Sequence, residues 1–146
     1  MYFQNPLVRQ IIGAAIAVHR ALGAGLFESS YEACLAYELM ERGLPFERQV
    51  PVPVVYKGVR LDCGYRADFL VNREIPVELK CIERWMPIHT VQMKTYLRLL
   101  GLQQGLLINF NVPVLVHGVR SVVVESLEET APEEELELPG PSSEPS

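Results

Sequence analysis

The sequence predicts a single α/β domain, more narrowly an α+β one, with its elements in the order ααβββαβ and a further strand at the end. Three observations support this prediction. The chain has 146 residues, 49% of them apolar, which suits one domain with a buried core. Its first third has helical periodicity interrupted by glycines, and a β-rich region with turn residues follows. One more helix and apolar strands complete the order, which predicts a mixed central sheet.

The first two predicted elements are helices. Residues 7–22 have apolar side chains at helical spacing, with Asn5 as N-cap and Pro6 at the first helical position. A second helix is expected from about Glu28 to Arg42, before Gly43. The side chains expected to face the core are Ile11, Ile12, Ala15, Ile16 and Leu22, then Tyr31, Leu35, Leu39 and Met40.

The next region predicts an antiparallel meander. Residues 46–56 form a β-rich run whose two prolines favour an edge strand. A tight turn at residues 57–58 leads to strands over 61–71 and 75–81, with a short connection between them.

The last elements are a helix and one or two strands. Residues 89–100 are helical, and 104–109 form an apolar strand buried on both faces. Residues 119–124 are expected to add a final strand. The candidate core positions of this helix are Val91, Tyr96 and Leu99.

Charge divides the chain into two parts. All 13 basic residues lie in 1–124 with 10 acidic ones, whereas 125–146 contain eight Glu and no Lys or Arg. We therefore expect a folded domain over 1–124 and an acidic, disordered tail over 125–146. A mildly basic body is compatible with a polyanionic partner.

Several protein classes are disfavoured. The longest apolar stretch, 11–18, is too short to cross a bilayer, and no secretory signal is visible. Cys34, Cys63 and Cys81 are widely spaced, which indicates reduced thiols and not a disulfide scaffold or zinc site. A cytoplasmic protein is expected.

Three polar residues in the strand region carry the candidate chemistry. Glu78 and Lys80 share one face of their strand, and a hairpin would bring Asp68 close to Glu78. Two carboxylates suit a hard divalent cation, which activates water and grips a phosphate in phosphodiester hydrolysis, while a lysine can orient the attacking water. The spacing alone favours a structural network, in which Asp68 and Glu78 pair with Arg66 and Lys80.

Additional segments match a known family pattern. Residues 25–31, Gly-Leu-Phe-Glu-Ser-Ser-Tyr, fit a G-x-x-E-x-x-Y signature at the start of a helix. The segments that accompany it are 11–23, 56–58, 64–68, 77–80 and 106–111. Over residues 7–124 the chain resembles the GxxExxY protein family, a branch of the PD-(D/E)XK nuclease superfamily. The resemblance implies a restriction-endonuclease-like αβββαβ core with an extra N-terminal helix.

The resemblance also implies a Mg²⁺-dependent nuclease acting on DNA or, as the second choice, RNA, with Mn²⁺ as a substitute metal. Asp68 stands in Arg-Ala-Asp where the superfamily name has Pro-Asp. The implied metal ligands are Glu28, Asp68 and Glu78. The implied catalytic residues are these three together with Lys80, which acts on the attacking water, and Gln92, which positions the nucleic-acid strand.

Gln92 and Tyr96 lie one helical turn apart and resemble the Q-x-x-x-Y element of the lambda-exonuclease-like branch. Nucleic-acid contacts are expected from Tyr96, Arg66 and Lys94.

Other interpretations stay open. The negative charge of Glu28 could simply stabilise the N-terminus of its helix, and Gln92 could be a surface amide. Tyr31, His19, His89 and Trp85 suit packing better than catalysis. The whole domain could be a non-catalytic nucleic-acid or protein interaction module, and a homo-oligomer is also compatible with the sequence.

Overall fold

A computed structural model describes residues 4–125. It contains three α-helices and seven β-strands: α1 Pro6–Leu22, α2 Glu28–Glu41, β1 Phe46–Pro51, β2 Val54–Tyr56, β3 Val59–Leu61, β4 Arg66–Val71, β5 Ile75–Lys80, α3 Pro87–Leu100, β6 Gln104–Asn109 and β7 Val119–Val123. A short 3₁₀ helix, Leu115–Gly118, precedes β7.

Five strands form one mixed sheet in the order β1-β4-β5-β6-β7. The β5–β6 pair is parallel, with α3 as its crossover, and the other neighbours are antiparallel. β1 lies at the edge, as its prolines predicted. The predicted α/β class is confirmed, since two N-terminal helices and a mixed sheet with a helix are consistent with a restriction-endonuclease-like core.

Two of the predicted strands are each split. The predicted strand 46–56 is interrupted at residues 52–53, where Pro53 has no N–H to donate to a ladder. The predicted strand 61–71 is interrupted after β3, where the carboxylate of Asp62 accepts a hydrogen bond from the Gly64 N–H. As a result, β2 and β3 form a separate two-stranded hairpin inserted between β1 and β4.

The sheet separates two hydrophobic clusters. α1 and α2 cover one face, against the largest part of the core, and α3 covers the other face. Asn5 caps α1 as predicted, because its side chain accepts from the backbone N–H groups of Leu7 and Val8. β6 is buried over five of its six residues, in agreement with the prediction that both its faces are covered.

Three predicted core residues are in fact exposed. Met40 and Val91 are 59% and 54% exposed, and Leu22 is 38% exposed. Met40 and Leu22 lie in the last turns of α2 and α1, and Val91 lies on the side of α3 that is turned from the sheet. Helical periodicity in a sequence does not show where the buried face of the helix ends.

The cysteines Cys34, Cys63 and Cys81 are free thiols. Among residues 4–125, no helix combines the length and apolarity that a membrane crossing requires. The expected acidic tail, apart from its first residue, lies outside the described residues.

Candidate active site

The candidate site lies where β4 and β5 separate. The two strands pair from Val71–Ile75 as far as Phe69–Val77. Asp68 and Glu78 occupy the next positions on the two strands. One Asp68 carboxylate oxygen accepts from the backbone N–H of Leu79 at 2.8 Å. A side chain, instead of the backbone ladder, therefore connects the two strands at this point.

Glu78 is a buried carboxyl group without a full set of partners. Its residue is only 8% exposed, and its Oε2 atom has no hydrogen-bond partner within the described part of the chain. Burial raises the pKa of Glu78 to about 8, with the charge of Asp68 adding to the rise and the charge of Lys80 opposing it. A carboxyl group in this setting requires a proton or a cation beside it.

Two further side chains surround the carboxylate pair. Lys80, half-buried, follows two residues after Glu78 and shares its strand face. Tyr96 lies against the pair from α3. Burial raises the pKa of Tyr96 to about 12, and the charges of Glu78, Tyr65 and Asp68 act in the same direction. An ammonium group and a neutral phenol therefore lie near the pair.

Glu28 approaches the same strand from α2, of which it is the first residue. Its Oε2 atom accepts from the backbone N–H of Cys81 at 3.2 Å. Cys81 follows directly after Lys80, so Glu28 lies beside the exit of β5. Among residues 4–125, no three His, Cys, Asp or Glu side chains are grouped closely enough to hold a metal ion together. The structure therefore brings Asp68 and Glu78 together and places Glu28 beyond them.

Tyr31 explains how the loop before Glu28 is positioned. Its hydroxyl donates to the carbonyl of Gly23 and accepts from the N–H of Leu26 at 3.2 Å. Its ring stacks on Phe110, which follows β6, with the ring centroids 4.4 Å apart. Tyr31 thus connects the α1–α2 loop to the central sheet, which is a packing role.

Sequence reasoning missed two polar residues that contact the site. Gln49 lies opposite Asp68 on β1, and its φ of +53° is unusual for a residue other than glycine. Its amide donates to Glu32 at 3.1 Å and to Asp68 at 3.4 Å. Glu32 follows Glu28 by one helical turn, a spacing that could have identified it. Nothing in the sequence indicates the conformation of Gln49.

Asn109 is a third residue that the sequence did not single out for a role. It is 2% exposed at the end of β6. Its Oδ1 accepts from the Ile82 N–H at 3.0 Å, and its Nδ2 donates to the Ile82 carbonyl at 2.9 Å. Both bonds hold the segment that follows Lys80. The sequence signal that could have identified Asn109 is an amide side chain at the end of an otherwise apolar strand.

The remaining predicted site residues lie around this centre. Gln92 lines a groove beside Tyr96 on α3. Arg66 donates to Asp62 at 3.3 Å and to the Tyr65 carbonyl at 2.9 Å. Lys94, half-buried on α3, is not among the residues that line the groove.

The two histidines and the tryptophan make packing contacts. The Nε2 atom of buried His19 lies 2.8 Å from the carbonyl of Val112. Trp85 contacts His89 edge-on, and the guanidinium of Arg120 lies over its ring.

Comparison with known proteins identifies one family. Residues 5–122 match a model described as the PD-(D/E)XK nuclease superfamily. This span runs from the α1 cap into β7 and contains every candidate site residue named above. No curated protein matches the chain, and no solved structure matches it.

Proposed function

Because the chain belongs to the PD-(D/E)XK nuclease superfamily, we propose that it is a Mg²⁺-dependent nuclease that hydrolyses phosphodiester bonds in DNA. RNA is the second candidate substrate. The proposal rests on the superfamily match together with one structural observation, the unpartnered Oε2 atom of buried Glu78 beside Asp68.

The unpartnered Oε2 atom of Glu78 is suited to binding a cation. Leaving a buried carboxylate oxygen without a partner costs free energy. A divalent cation between Asp68 and Glu78 would supply the partner and offset the repulsion between the two carboxylates. Oxygen donors are the ligands that Mg²⁺ prefers, and it binds through one or two carboxylates while it keeps several waters. Mn²⁺ accepts the same ligands.

Each residue then has a distinct role. Asp68 and Glu78 would hold the cation, and Glu28, beside the exit of β5, would reach it through water. When bound, the cation would lower the pKa of a water molecule and neutralise charge on the phosphate. Lys80 carries its ammonium group on the same strand face as Glu78, where it can orient the attacking water and stabilise developing negative charge.

The finer family assignment is part of the proposal. Gly25, Glu28 and Tyr31 support the GxxExxY branch, since Tyr31 fixes the loop that leads to Glu28. Gln92 and Tyr96 support a likeness to the lambda-exonuclease-like branch, with Gln92 positioning the nucleic-acid strand. Arg66 and Lys94 are proposed as phosphate contacts.

The test is a cleavage assay with single-stranded, duplex and structured DNA and RNA in Mg²⁺ or Mn²⁺. Asp68→Asn should abolish metal-stimulated cleavage, and Lys80→Ala should lower it by roughly 100-fold or more. Glu74→Gln is the matched control, because Glu74 is exposed in the connection between β4 and β5 and has no role in the proposed mechanism, so this variant should keep full activity. Full activity in either site variant would refute the mechanism.

Calorimetric titration with Mn²⁺ separates catalysis from simple binding. The wild-type protein should bind Mn²⁺ and the Asp68→Asn variant should not. If the wild type binds nucleic acid but no Mn²⁺ at millimolar concentration, the domain is a non-catalytic interaction module instead.

A further inference from the structure

A groove between the β2–β3 hairpin and α3 opens beside the candidate site. Its volume is about 380 Å³, within the ~300–1,000 Å³ range of small-ligand pockets. Its lining includes Val55, Tyr65, Ile88, Val91, Gln92 and Tyr96. Several of these side chains are large, apolar and exposed: Val55 by 45%, Tyr65 by 47%, Ile88 by 63% and Val91 by 54%.

The groove and the carboxylate pair have Tyr96 as a common neighbour. Tyr96 lines the groove, and the same side chain is close enough to Glu78 and Asp68 for their charges to raise its pKa. The ring of Tyr65 contacts that of Tyr96 edge-on, with the centroids 6.3 Å apart. A group bound against Tyr65 would therefore be separated from the carboxylate pair by the ring of Tyr96.

The elements on both sides of the groove carry positive charge. Arg98 lines the groove from α3, the hairpin adds Lys57 and Arg60 outside the lining, and neither β2–β3 nor α3 contains an Asp or Glu. The opposite layer has a different balance: α1 and α2 contain four Glu and two Arg. Positive charge around an apolar, aromatic floor is complementary to a nucleic-acid strand, whose phosphates seek cations and whose bases stack.

We propose that this groove holds an unpaired nucleotide of the substrate, with its base against Tyr65 and its backbone directed towards Asp68 and Glu78. The inference rests on the proposed nuclease function and adds a substrate class, single-stranded nucleic acid. A base in a closed duplex is stacked on its neighbours and cannot enter a side groove without being extruded. Gln92 and Thr95 supply polar contacts for the base edge.

Binding without catalysis tests the groove directly. The probe is a fluorescein-labelled oligo-dT of about 20 nucleotides, followed by anisotropy at low salt in EDTA. Tyr65→Ala should weaken binding by roughly 5- to 100-fold, the range for loss of one base–aromatic stack, whereas Tyr65→Phe should bind like the wild type. Tyr37→Ala is the matched control, because Tyr37 is 60% exposed on α2, on the other side of the sheet.

A second pair of variants covers the case in which Tyr65→Ala does not fold. Val91→Glu places a negative charge in the groove, and Val116→Glu places the same charge beside α1 at a residue of similar exposure, 49% against 54%. Only Val91→Glu should weaken oligo-dT binding.

The inference is overturned if Tyr65→Ala, correctly folded, binds oligo-dT like the wild type, or if it weakens binding to a blunt duplex equally. Failure of the wild type to bind both oligo-dT and oligo-U would also overturn it. These measurements need no metal, so they are independent of the cleavage assay that tests the proposed function. Replacing oligo-dT by oligo-U distinguishes a DNA strand from an RNA strand, and binding of either supports the groove.

Discussion

The buried carboxyl of Glu78 predicts an unusual dependence of stability on pH. In the metal-free protein its pKa is raised to about 8, while the unfolded chain has the ordinary value of 4.5. Below pH 4.5 the group is protonated in both states and has no effect on the free energy of unfolding. As the pH rises from there towards 8, only the unfolded chain loses its proton, so the folded state loses stability.

The size of the effect follows from the shift. Each pKa unit corresponds to about 1.4 kcal/mol, so at pH 7, where Glu78 is ionised mainly in the unfolded chain, the folded state is less stable than at low pH by roughly 3 kcal/mol. Above the folded pKa the cost becomes constant. Glu78→Gln mimics the protonated form, and it should remove this dependence. From pH 5 to pH 7, the difference in the free energy of unfolding between the variant and the wild type should increase by roughly 2 to 3 kcal/mol in favour of the variant.

Urea unfolding in EDTA at several pH values measures this difference. Glu83→Gln is the control, since Glu83 is exposed shortly after β5 and should unfold in parallel with the wild type at every pH. Parallel curves for Glu78→Gln and the wild type would refute the reasoning. Adding Mn²⁺ at pH 7 should stabilise the wild type but not this variant.

Two other variants test the surroundings of the site. Asn109→Ala should destabilise the fold by about 2 to 3 kcal/mol in urea unfolding, because the Ile82 backbone loses both of its hydrogen bonds to this buried amide. The control is Asn111→Ala at an exposed neighbouring position, which should cost less than about 1 kcal/mol. Equal losses of stability in the two variants would contradict the argument. Glu28→Gln should weaken Mn²⁺ binding by roughly 10-fold in calorimetry as a support of the metal site, whereas Glu38→Gln on the outer face of α2 should have no effect.

Much of the fold could be predicted because its signals are local. The Asn5 cap, the glycine after each long helix and the apolar run of β6 act within a few residues. Strand alternation and one tight connection were enough to predict that Asp68 and Glu78 are neighbours. That prediction needed no knowledge of α3 or of the other strands.

The parts that could not be predicted depend on non-local contacts. Gln49 reaches Glu32 across 17 residues of sequence and does so from a left-handed backbone conformation. The separate β2–β3 hairpin requires the chain to leave the sheet at residue 52 and return at Arg66. Val91 and Tyr96 are five residues apart and lie on different sides of α3, and the hairpin leaves a groove above Val91 instead of a covering layer.

The separation of β4 and β5 links the stability of the site to its chemistry. Where the β4–β5 ladder ends, the backbone N–H groups of Leu79, Cys81 and Ile82 donate hydrogen bonds to the side chains of Asp68, Glu28 and Asn109 in turn. Two of these acceptors are proposed to serve the metal, so the same carboxylates hold the strand and the cation. An alanine at Asp68 would therefore remove both roles at once. An amide keeps an acceptor for the Leu79 N–H but removes the charge, which is why Asp68→Asn isolates the chemistry from the fold.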